Sequence, residues 1–301
     1  YLNGPGKRIA MKDNTGSPLL EQYRFTGSGT FTGFFNTRTF ASAKQYAPEW
    51  RSVLSNCVLR AIAFGASGVF FDQLGYIERN PDWDASGEFA IPDLCGIAHK
   101  AESLRLMRGL IETKGPEGFG LGTEFFTDIC MQYADYVHNF VGGADPKDFM
   151  DWTRYAFPEC ILSDREIRDD RPDVAWRVNH NLLIGLRADV EIYRCRGLID
   201  ETPKYQAALA AANRLRREHP VVMSGAFKGT DGIVNSNPNS LFANVFVDGD
   251  KASVVVTSRN GAKGTIALAG WIPSEPIDIE VGENEAKVLD FTRHPYEKRE
   301  K

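Results

Sequence analysis

The sequence has few cysteines and few histidines, five of each among 301 residues. No CxxC, CxxH, HxH or HExxH spacing occurs, so the ligand patterns of zinc knuckles and of the common zinc hydrolases are missing. We therefore expect no metal ion and no cofactor. Several cysteines lie within apolar stretches, which favours buried free thiols and a reducing compartment. The cysteines are Cys57, Cys95, Cys130, Cys160 and Cys195.

Long apolar runs and an excess of basic residues are also missing. Without about eighteen consecutive apolar residues, we expect no membrane span. The formal net charge is −5 and the basic residues alternate with acidic ones, which argues against a nucleic-acid-binding surface. The chain begins with Tyr1 and has no signal-peptide pattern, so we expect a start that is processed or cut. Reduced cysteines favour a cytoplasmic location, and the cut start leaves secretion open.

Helix-like and strand-like segments alternate along the first 235 residues. Apolar residues at helical spacing predict helices over about 48–64 and 97–114. Short apolar runs containing glycine predict strands that end at Asp72 and Glu124. Because this alternation is typical of parallel α/β architecture, we predict a (β/α)8-type (TIM) barrel over residues 1–235.

Further helices are predicted in the second half of that barrel and directly after Glu124. The helix after Glu124 has Thr127 as its N-cap and extends to about Phe140. A second helix covers 174–196, and Thr202-Pro203 opens a third. Residues 157–162 are interpreted as a strand or the entry to one.

The last 66 residues have a different sequence pattern. Five short strand-like segments follow one another near 241–247, 252–258, 263–269, 276–281 and 286–291. The Asp248-Gly249 and Asn260-Gly261 pairs are typical of hairpin turns. We predict a small antiparallel β-sandwich over 236–301. An eight-fold barrel needs about 250 residues, so we expect its early strands to be missing, or supplied by a preceding segment or another chain.

Two carboxylates carry the functional prediction. The runs 68–73 (GVFFDQ) and 120–125 (GLGTEF) each reach a carboxylate after apolar residues, so Asp72 and Glu124 emerge side by side if these strands are neighbours. Active sites of such barrels lie at that C-terminal edge, and two facing carboxyl groups are the minimum for cleaving a glycosidic bond. Either residue alone is a simple strand end or turn cap; the pair favours catalysis. We predict a retaining glycosidase with Asp72 as nucleophile and Glu124 as acid/base, since neighbouring strands are close.

Three motifs resemble those of a known family. Residues 65–75 (GASGVFFDQLG), 155–159 (YAFPE) and 185–196 (GLRADVEIYRCR) are similar to an uncharacterised bacterial family of glycoside-hydrolase-like TIM barrels. The resemblance covers most of 50–230, and it extends to retaining α-glycosidases such as endo-α-N-acetylgalactosaminidases and α-galactosidases. It implies an Asp nucleophile and a Glu acid/base at the ends of successive strands, and it favours an α-linkage. No motif specifies the sugar.

Five further residues are candidate substrate contacts. Gln73 follows the nucleophile directly, and Trp83 lies in a long loop where it can stack on a sugar face. His99, at the start of a helix, is either a hydroxyl contact or a structural residue. Glu159 is a third site carboxylate or the cap of a turn. Arg194 either grips a site carboxylate or pairs with neighbours on its helix.

Two other classes of protein remain open at this point. The first is a carbohydrate-binding or scaffold barrel that has lost catalysis, which a truncated barrel favours. The second is a metal-dependent hydrolase with Asp72, His99 and Glu124 as mixed oxygen and nitrogen ligands, although no ligand spacing supports it. The expected partner is a carbohydrate substrate.

Overall fold

The structure is a computed structural model of the chain. It describes residues 8–22, 39–75, 80–86, 89–125, 127–138, 152–165, 167–192 and 197–293. The chain divides into two compact units, residues 1–140 and 141–301.

The first unit is an α/β assembly with a parallel sheet. Strands β3, β4 and β5 pair in parallel in that order, and β1 and β2 form a separate antiparallel pair. Its elements are β1 (Leu20–Gln22), β2 (Thr39–Ala41), α1 (Pro48–Ala63), β3 (Gly68–Phe71), α2 (Gly96–Lys114), β4 (Gly120–Glu124), α3 (Asp128–Met131) and β5 (Tyr136–His138).

Helices α1 and α2 pack on one face of this sheet, and both were predicted at these positions. Their buried apolar residues recur every three or four positions, which places them on one stripe of each helix. The shared core comprises Leu54 and Val58 of α1, Leu104, Met107 and Ile111 of α2, and Phe71 and Leu121 of the strands. The predicted strands ending at Asp72 and Glu124 are confirmed.

The prediction of a long helix after β4 is wrong. Helix α3 has only four residues, and the chain then enters strand β5. Asp135 is the reason: its Oδ2 accepts hydrogen bonds from the Leu121 backbone N–H (2.7 Å) and from the Arg108 guanidinium (2.5 Å). These contacts tie the chain to β4, and the following Tyr-Val-His segment has the aromatic and β-branched residues that strands favour.

The second unit begins with alternating helices and strands. Strands β6 and β7 pair in parallel. The elements are α4 (Trp152–Ala156), β6 (Ile161–Asp164), α5 (Val174–Leu183), β7 (Arg187–Ala188), a 3-10 turn (Ile199–Glu201), α6 (Pro203–Glu218) and α7 (Val221–Ser224). The strand entry at 157–162 and the helix opened by Thr202-Pro203 are confirmed.

The predicted helix over 174–196 ends early, at Leu183. Gly185 has φ +73°, and the Gly185 and Leu186 N–H groups bond back to the Leu182 and Asn181 carbonyls. This is a Schellman C-cap, in which glycine supplies the left-handed conformation. Residues 189–192 therefore lie outside a helix, and Arg194 lies outside the described residues.

Two antiparallel sheets complete the second unit, and all five predicted strand segments are confirmed. The sheet orders are β13-β15-β11-β10-β8 and β14-β12-β9, with a shared core that includes Val254, Ile266, Trp271 and Phe291. The strands are β8 (Ala226–Gly229), β9 (Ile233–Asn235), β10 (Phe242–Asp248), β11 (Lys251–Ser258), β12 (Ala262–Leu268), β13 (Trp271–Ile272), β14 (Ile277–Val281) and β15 (Glu285–Arg293).

Parallel strands with helices, followed by antiparallel sheets, make this an α/β fold. Within the described ranges, the parallel strands do not close into an eight-stranded barrel. No helix in the described part of the chain has the length and apolar character to cross a membrane.

Candidate active site

The candidate active site lies where the parallel strands of the first unit end. Strands β3 and β4 pair with Phe71 opposite Thr123, and β4 and β5 pair with Glu124 opposite His138. Asp72 is the next residue after β3, so it follows Phe71 as Glu124 follows Thr123. Neighbouring strands lie about 4.8 Å apart, and the two acidic residues therefore occupy adjacent positions at the C-terminal edge.

The site is on the sheet face opposite the helices. Phe71 and Leu121 belong to the helix-side core, and side chains alternate along a strand, so Phe70, Gly122 and Tyr136 share the other face. These three residues are also in register. The Phe70 and Tyr136 ring centroids are 6.2 Å apart. A Cβ on Gly122 would lie 3.0 Å from Tyr136 Cδ1 and 3.1 Å from Phe70 Cδ2, so glycine makes room for this aromatic floor.

The same alternation places Glu124 and His138 on the aromatic face. Glu124 is 5% exposed, whereas Asp72 is exposed to solvent. The Tyr136 hydroxyl lies 3.2 Å from His138 Nδ1, and Phe70 meets the His138 ring edge-on with 5.6 Å between centroids. The Glu124 side chain is thus shielded from solvent beside the His138 imidazole, whereas Asp72 is exposed to water.

Both acidic residues are followed by a residue in the left-handed region. Gln73 has φ +57° and Phe125 has φ +59°; among the described residues, Asn284 is the remaining non-glycine residue with positive φ. Such conformations cost free energy and concentrate at functional sites. The backbone therefore reverses sharply just after each of Asp72 and Glu124.

The Thr123 hydroxyl stabilises the turn that follows Asp72. Thr123 Oγ1 accepts a hydrogen bond from the Gly75 N–H (2.7 Å) and donates one to the Phe71 carbonyl (3.0 Å). A Cβ on Gly75 would lie only 2.4 Å from the Phe125 carbonyl oxygen. The close approach therefore requires glycine, and it sets the turn after Asp72 against the end of β4.

Trp83 and His99 lie in the loop between β3 and α2 and in the first turn of α2. Trp83 is exposed. His99 Nε2 lies 2.8 Å from Asp93 Oδ2, and its ring contacts those of Tyr46 and Phe89. Burial alone would raise the pKa of Asp93, but hydrogen bonds from Cys95 and His99 hold that pKa below its usual value. His99 thus secures the loop, and its contact with a sugar stays a prediction.

Glu159 and Arg194 belong to the second unit. Glu159 is exposed in the turn that precedes β6, at the N-terminal end of that strand. Arg194 lies outside the described residues. Substrate contacts by either residue stay predictions.

The second unit has acidic residues of its own at strand ends. Asp164 ends β6, is buried, and accepts a hydrogen bond from Asn181 Nδ2 (2.7 Å). Asp189 follows β7 and accepts a hydrogen bond from the Ser163 hydroxyl, and its N–H donates to the Asp164 carbonyl. This parallel pair therefore also ends in carboxylates.

The sequence interpretation missed His138 and Asp164. The run Ile161-Leu162-Ser163-Asp164 has the same form as the runs that identified the predicted pair, since apolar residues lead to a carboxylate. Asp164 could therefore have been identified from the sequence. His138 ends a strand of three residues, which is too short for an alternating pattern to reveal. Across the described residues, no group of three or more His, Cys, Asp or Glu side chains is placed to hold a metal ion.

Comparison with solved structures shows that the chain has a glycoside-hydrolase-like fold. Its structural neighbours are TIM-barrel glycosidases. One neighbour is a noncanonic maltogenic alpha-amylase from Thermotoga neapolitana, with TM-score 0.55, 12% identity, and coverage of 97% of this chain and 74% of that chain. Another is the trehalose-6-phosphate hydrolase of Bacillus licheniformis (TM-score 0.55, 11% identity, coverage 97% and 79%). A third is the cyclic alpha-maltosyl-(1→6)-maltose hydrolase of Arthrobacter globiformis (0.52, 15%, 87% and 63%). The sequence matches no protein-family model and no curated protein.

Proposed function

We propose that this chain is a retaining glycoside hydrolase that cleaves an α-glycosidic bond, with Asp72 as nucleophile and Glu124 as acid/base. The observation that carries the proposal is the register of β3 and β4, which sets the two carboxylates at adjacent positions on the C-terminal edge. Their surroundings differ as the two roles require: the acid works from a less polar setting and the nucleophile from a polar, solvated one. Glu124 is buried and Asp72 is exposed.

The reaction proceeds in two displacements. An Asp72 oxygen attacks the anomeric carbon and forms a glycosyl ester while the bond to the leaving oxygen breaks, and Glu124 gives its proton to that oxygen. Glu124, now ionised, then takes a proton from water, whose oxygen attacks the anomeric carbon. The ester bond breaks, Asp72 is again a carboxylate, and the anomeric configuration is retained.

Strand spacing supports retention rather than inversion. Retaining enzymes hold their carboxyl groups about 5–5.5 Å apart, and inverting enzymes about 6.5–9.5 Å. Neighbouring strands separated by about 4.8 Å fit the shorter range. The α-linkage is supported by the resemblance to retaining α-glycosidases and by a neighbour whose name specifies an alpha-linked substrate, cyclic alpha-maltosyl-(1→6)-maltose.

We propose a catalytic barrel followed by a β-sandwich; because β8 pairs with β10 and β9 pairs with β12, the sandwich begins at Ala226 rather than at residue 236. Five parallel strands among the described residues are fewer than the eight of a complete barrel. Gln73 and Trp83 are the proposed substrate contacts nearest in sequence to the nucleophile.

Replacement of each carboxylate tests the assignment. Asp72→Asn is expected to abolish measurable turnover of aryl α-glycosides, because the amide is a poor nucleophile. Glu124→Gln is expected to lower kcat by about 10²–10⁴-fold on substrates with poor leaving groups. Initial rates on a panel of aryl α- and β-glycosides, with NMR of the anomer first released, measure both effects. Glu117→Gln, an exposed carboxyl before β4, is the matched control and should keep wild-type rates.

The leaving group separates the two roles. Glu124→Gln should affect a substrate with an activated phenol far less than one with an alcohol leaving group, because only the alcohol needs the proton. Equal losses on both substrates would contradict the acid role. Substantial activity in Asp72→Asn would show that another group is the nucleophile.

A carbohydrate-binding barrel without catalysis is the second candidate. The observation that favours it is the parallel strands, which do not close into a barrel within the described ranges. In that case the wild-type chain would bind sugars, no glycoside of the panel would turn over, and neither carboxylate substitution would change a rate.

A further inference from the structure

Three arginines of the second unit have no acidic partner among the described residues. They are Arg154 of α4, Arg187 of β7 and Arg216 of α6, here called the arginine cluster. None of the ion pairs in the described ranges includes any of them. Arg154 and Arg216 are 5% and 8% exposed, and Arg187 is partly exposed. Because a guanidinium stays charged at neutral pH, positive charge is buried here without a compensating carboxylate from the described part of the chain.

In that part of the chain, the two buried guanidinium groups bond only to neutral oxygens. Arg154 Nη1 donates to the Cys160 carbonyl (3.1 Å). Arg216 Nη2 donates to the Leu186 carbonyl (2.6 Å), and its Nη1 donates to the Asn213 side-chain oxygen (2.9 Å). A guanidinium has five N–H donors, and Arg154 Nε is buried with no hydrogen-bond partner among the described residues. A buried donor without a partner costs free energy, so Arg154 has capacity for a further acceptor.

Three consecutive residues, before and within β7, bring the guanidinium groups together. A Cβ on Gly185 would lie 3.3 Å from Arg154 Nη2. The next residue, Leu186, accepts the hydrogen bond from Arg216, and Arg187 follows directly. Gly185 has φ +73°, which glycine adopts without strain, and its missing side chain leaves room for Arg154. Side chains from α4, β7 and α6 therefore meet along one short stretch of chain.

The arginine cluster is open to solvent beside Arg187. Arg187 Nη2 donates to the Met223 carbonyl (3.2 Å), and Nη1 bonds to the sulfur of the same residue. Met223 is 42% exposed. A small solute would therefore reach the cluster beside these two residues, with Arg154 and Arg216 more deeply buried.

The charge of Arg187 adds repulsion to the cost of burial. Burial, followed by the charge of Arg187, lowers the pKa of Arg216 to about 10. Burial is also the main cause that lowers the pKa of Arg154, and the charge of Arg187 contributes to it. The Phe227 ring, whose centroid lies 5.7 Å from Arg154 Cζ, offers that guanidinium a weak attraction. Buried cations without a counter-charge are costly, so an anion that neutralised the cluster would stabilise the folded state.

The arginine cluster lies at the N-terminal end of the parallel strands β6 and β7. Cys160 directly precedes β6 and Leu186 directly precedes β7, and the carbonyls of both accept hydrogen bonds from the cluster. Asp164 ends β6 and Asp189 follows β7. The cluster and these strand-end carboxylates therefore occupy opposite ends of the same pair of strands.

We propose that the arginine cluster binds a small tetrahedral oxyanion, which is either an inorganic anion such as phosphate or the phosphoryl group of a small organic ligand. This inference does not depend on the proposed function. The planar guanidinium fork matches the spacing of phosphate oxygens, and a phosphoryl group carries about −1.5 to −2 charge at pH 7. Two of the three guanidinium groups are buried, so the site fits a small anion and excludes a nucleic-acid backbone or an acidic protein surface.

Calorimetric titration with inorganic phosphate, in chloride buffer of matched ionic strength, tests the proposal. The wild type is expected to bind phosphate. Arg187→Gln should weaken binding about 10–100-fold, the usual loss of one charged hydrogen-bond partner, and Arg154→Met should weaken it in the same range. Arg214→Gln is the matched control, because Arg214 is exposed on the same helix as Arg216, and it should leave the Kd unchanged.

Melting temperatures distinguish a binding role from a structural one. Without oxyanions, Arg187→Gln should melt at or above the wild-type temperature, because the substitution removes repulsion between like charges. Added phosphate should raise the melting temperature of the wild type and leave that of the variant nearly unchanged. The same melting curves show whether each variant is folded.

Two further titrations identify the source of the anion. Sulfate and glycerol 3-phosphate are compared with inorganic phosphate under the same conditions. Tighter binding of glycerol 3-phosphate would indicate the phosphoryl group of an organic ligand. Binding of phosphate or sulfate that is at least as tight would indicate a free inorganic anion.

Three results would overturn the proposal. The first is neither binding heat nor a shift in melting temperature with any of the three anions. The second is an equal rise in melting temperature for wild type and Arg187→Gln, which is the general effect of sulfate and phosphate on burial. The third is a variant Arg187→Gln that melts well below the wild type in both buffers yet binds phosphate with the wild-type Kd, which would make Arg187 purely structural.

Discussion

The absence of a side chain at Gly122 allows the aromatic rings of the candidate site to pack together. The Phe70 and Tyr136 rings approach each other over its Cα, on the sheet face that also carries Glu124 and His138. Any side chain at position 122 would enter the space that the rings fill. The aromatic floor beneath the carboxyl edge therefore depends on glycine at this position.

Substitution of Gly122 by alanine is expected to destabilise the protein by about 1–3 kcal/mol, the usual cost of overpacking a filled space. It should also lower turnover, because displaced rings disturb His138 and its neighbour Glu124. Urea unfolding followed by circular dichroism measures the free energy of unfolding, and initial rates measure turnover.

Gly109→Ala is the matched control for that experiment. Gly109 lies within α2, and a Cβ there would meet no atom within 4 Å, so alanine should stabilise the helix by about 0.5–1 kcal/mol. If both substitutions change stability equally, packing around Gly122 is not the cause.

Single residues also show how far the site could be predicted. Asp72 and Glu124 could be identified because each follows an apolar run, which is a local feature of the chain. Asp164 follows the same rule and could have been found in the same way. His138 could not, because its place beside Glu124 comes from strand pairing that joins two residues fourteen positions apart in sequence.

At the scale of elements, both overextended helix predictions failed at their C-terminal ends. Apolar spacing continued past residue 183 and past residue 131, so periodicity alone favoured longer helices. The actual ends depend on Gly185, whose left-handed conformation reverses the chain, and on Asp135, whose carboxylate bonds to β4. The first signal is local and the second is a tertiary contact.

Helix α6 carries a buried tyrosine whose ionisation couples to stability. Tyr205 is 1% exposed, and burial, followed by the negative charges of Asp164 and Asp189, raises its pKa from 10 to about 12. Because unfolding returns the pKa to about 10, the neutral side chain favours the folded state fully below pH 10. That contribution is lost as pH rises from about 10 to 12.

Tyr205→Phe is expected to remove this pH dependence. The wild-type free energy of unfolding should fall relative to that of the variant by about 1.4 kcal/mol per pH unit within that window, and by roughly 2–3 kcal/mol in total. Urea unfolding of both proteins at intervals from pH 9 to 12 gives the difference. A difference that stays constant with pH would contradict a raised pKa for Tyr205.

At the scale of the whole molecule, a glycosidase-like fold accompanies very low sequence identity. The neighbours share 11–15% of their residues with this chain over most of its length. Such a fold requires apolar residues at the right periods and glycines at the turns, and many sequences meet those requirements. The fold alone therefore does not specify a substrate or a mechanism.

Removal of divalent metal ions tests the remaining class, a metal-dependent hydrolase. Two carboxylates carry the whole proposed reaction, so EDTA treatment followed by gel filtration should leave turnover of the aryl glycosides unchanged. Loss of activity that zinc or manganese restores, with an unchanged melting temperature, would favour the metal-dependent hydrolase instead.

The sequence by itself determined the type and order of most elements and the two carboxylates that end β3 and β4. These features are local, because periodicity, glycine turns and strand-ending residues are properties of neighbouring positions. Only the tertiary structure decided which strands pair, that Glu124 is buried beside His138, and that Asp82 is buried while the neighbouring Trp83 is exposed. Those outcomes depend on contacts such as Asp135 with Leu121 and Asp82 with Lys12, which join residues far apart in the chain.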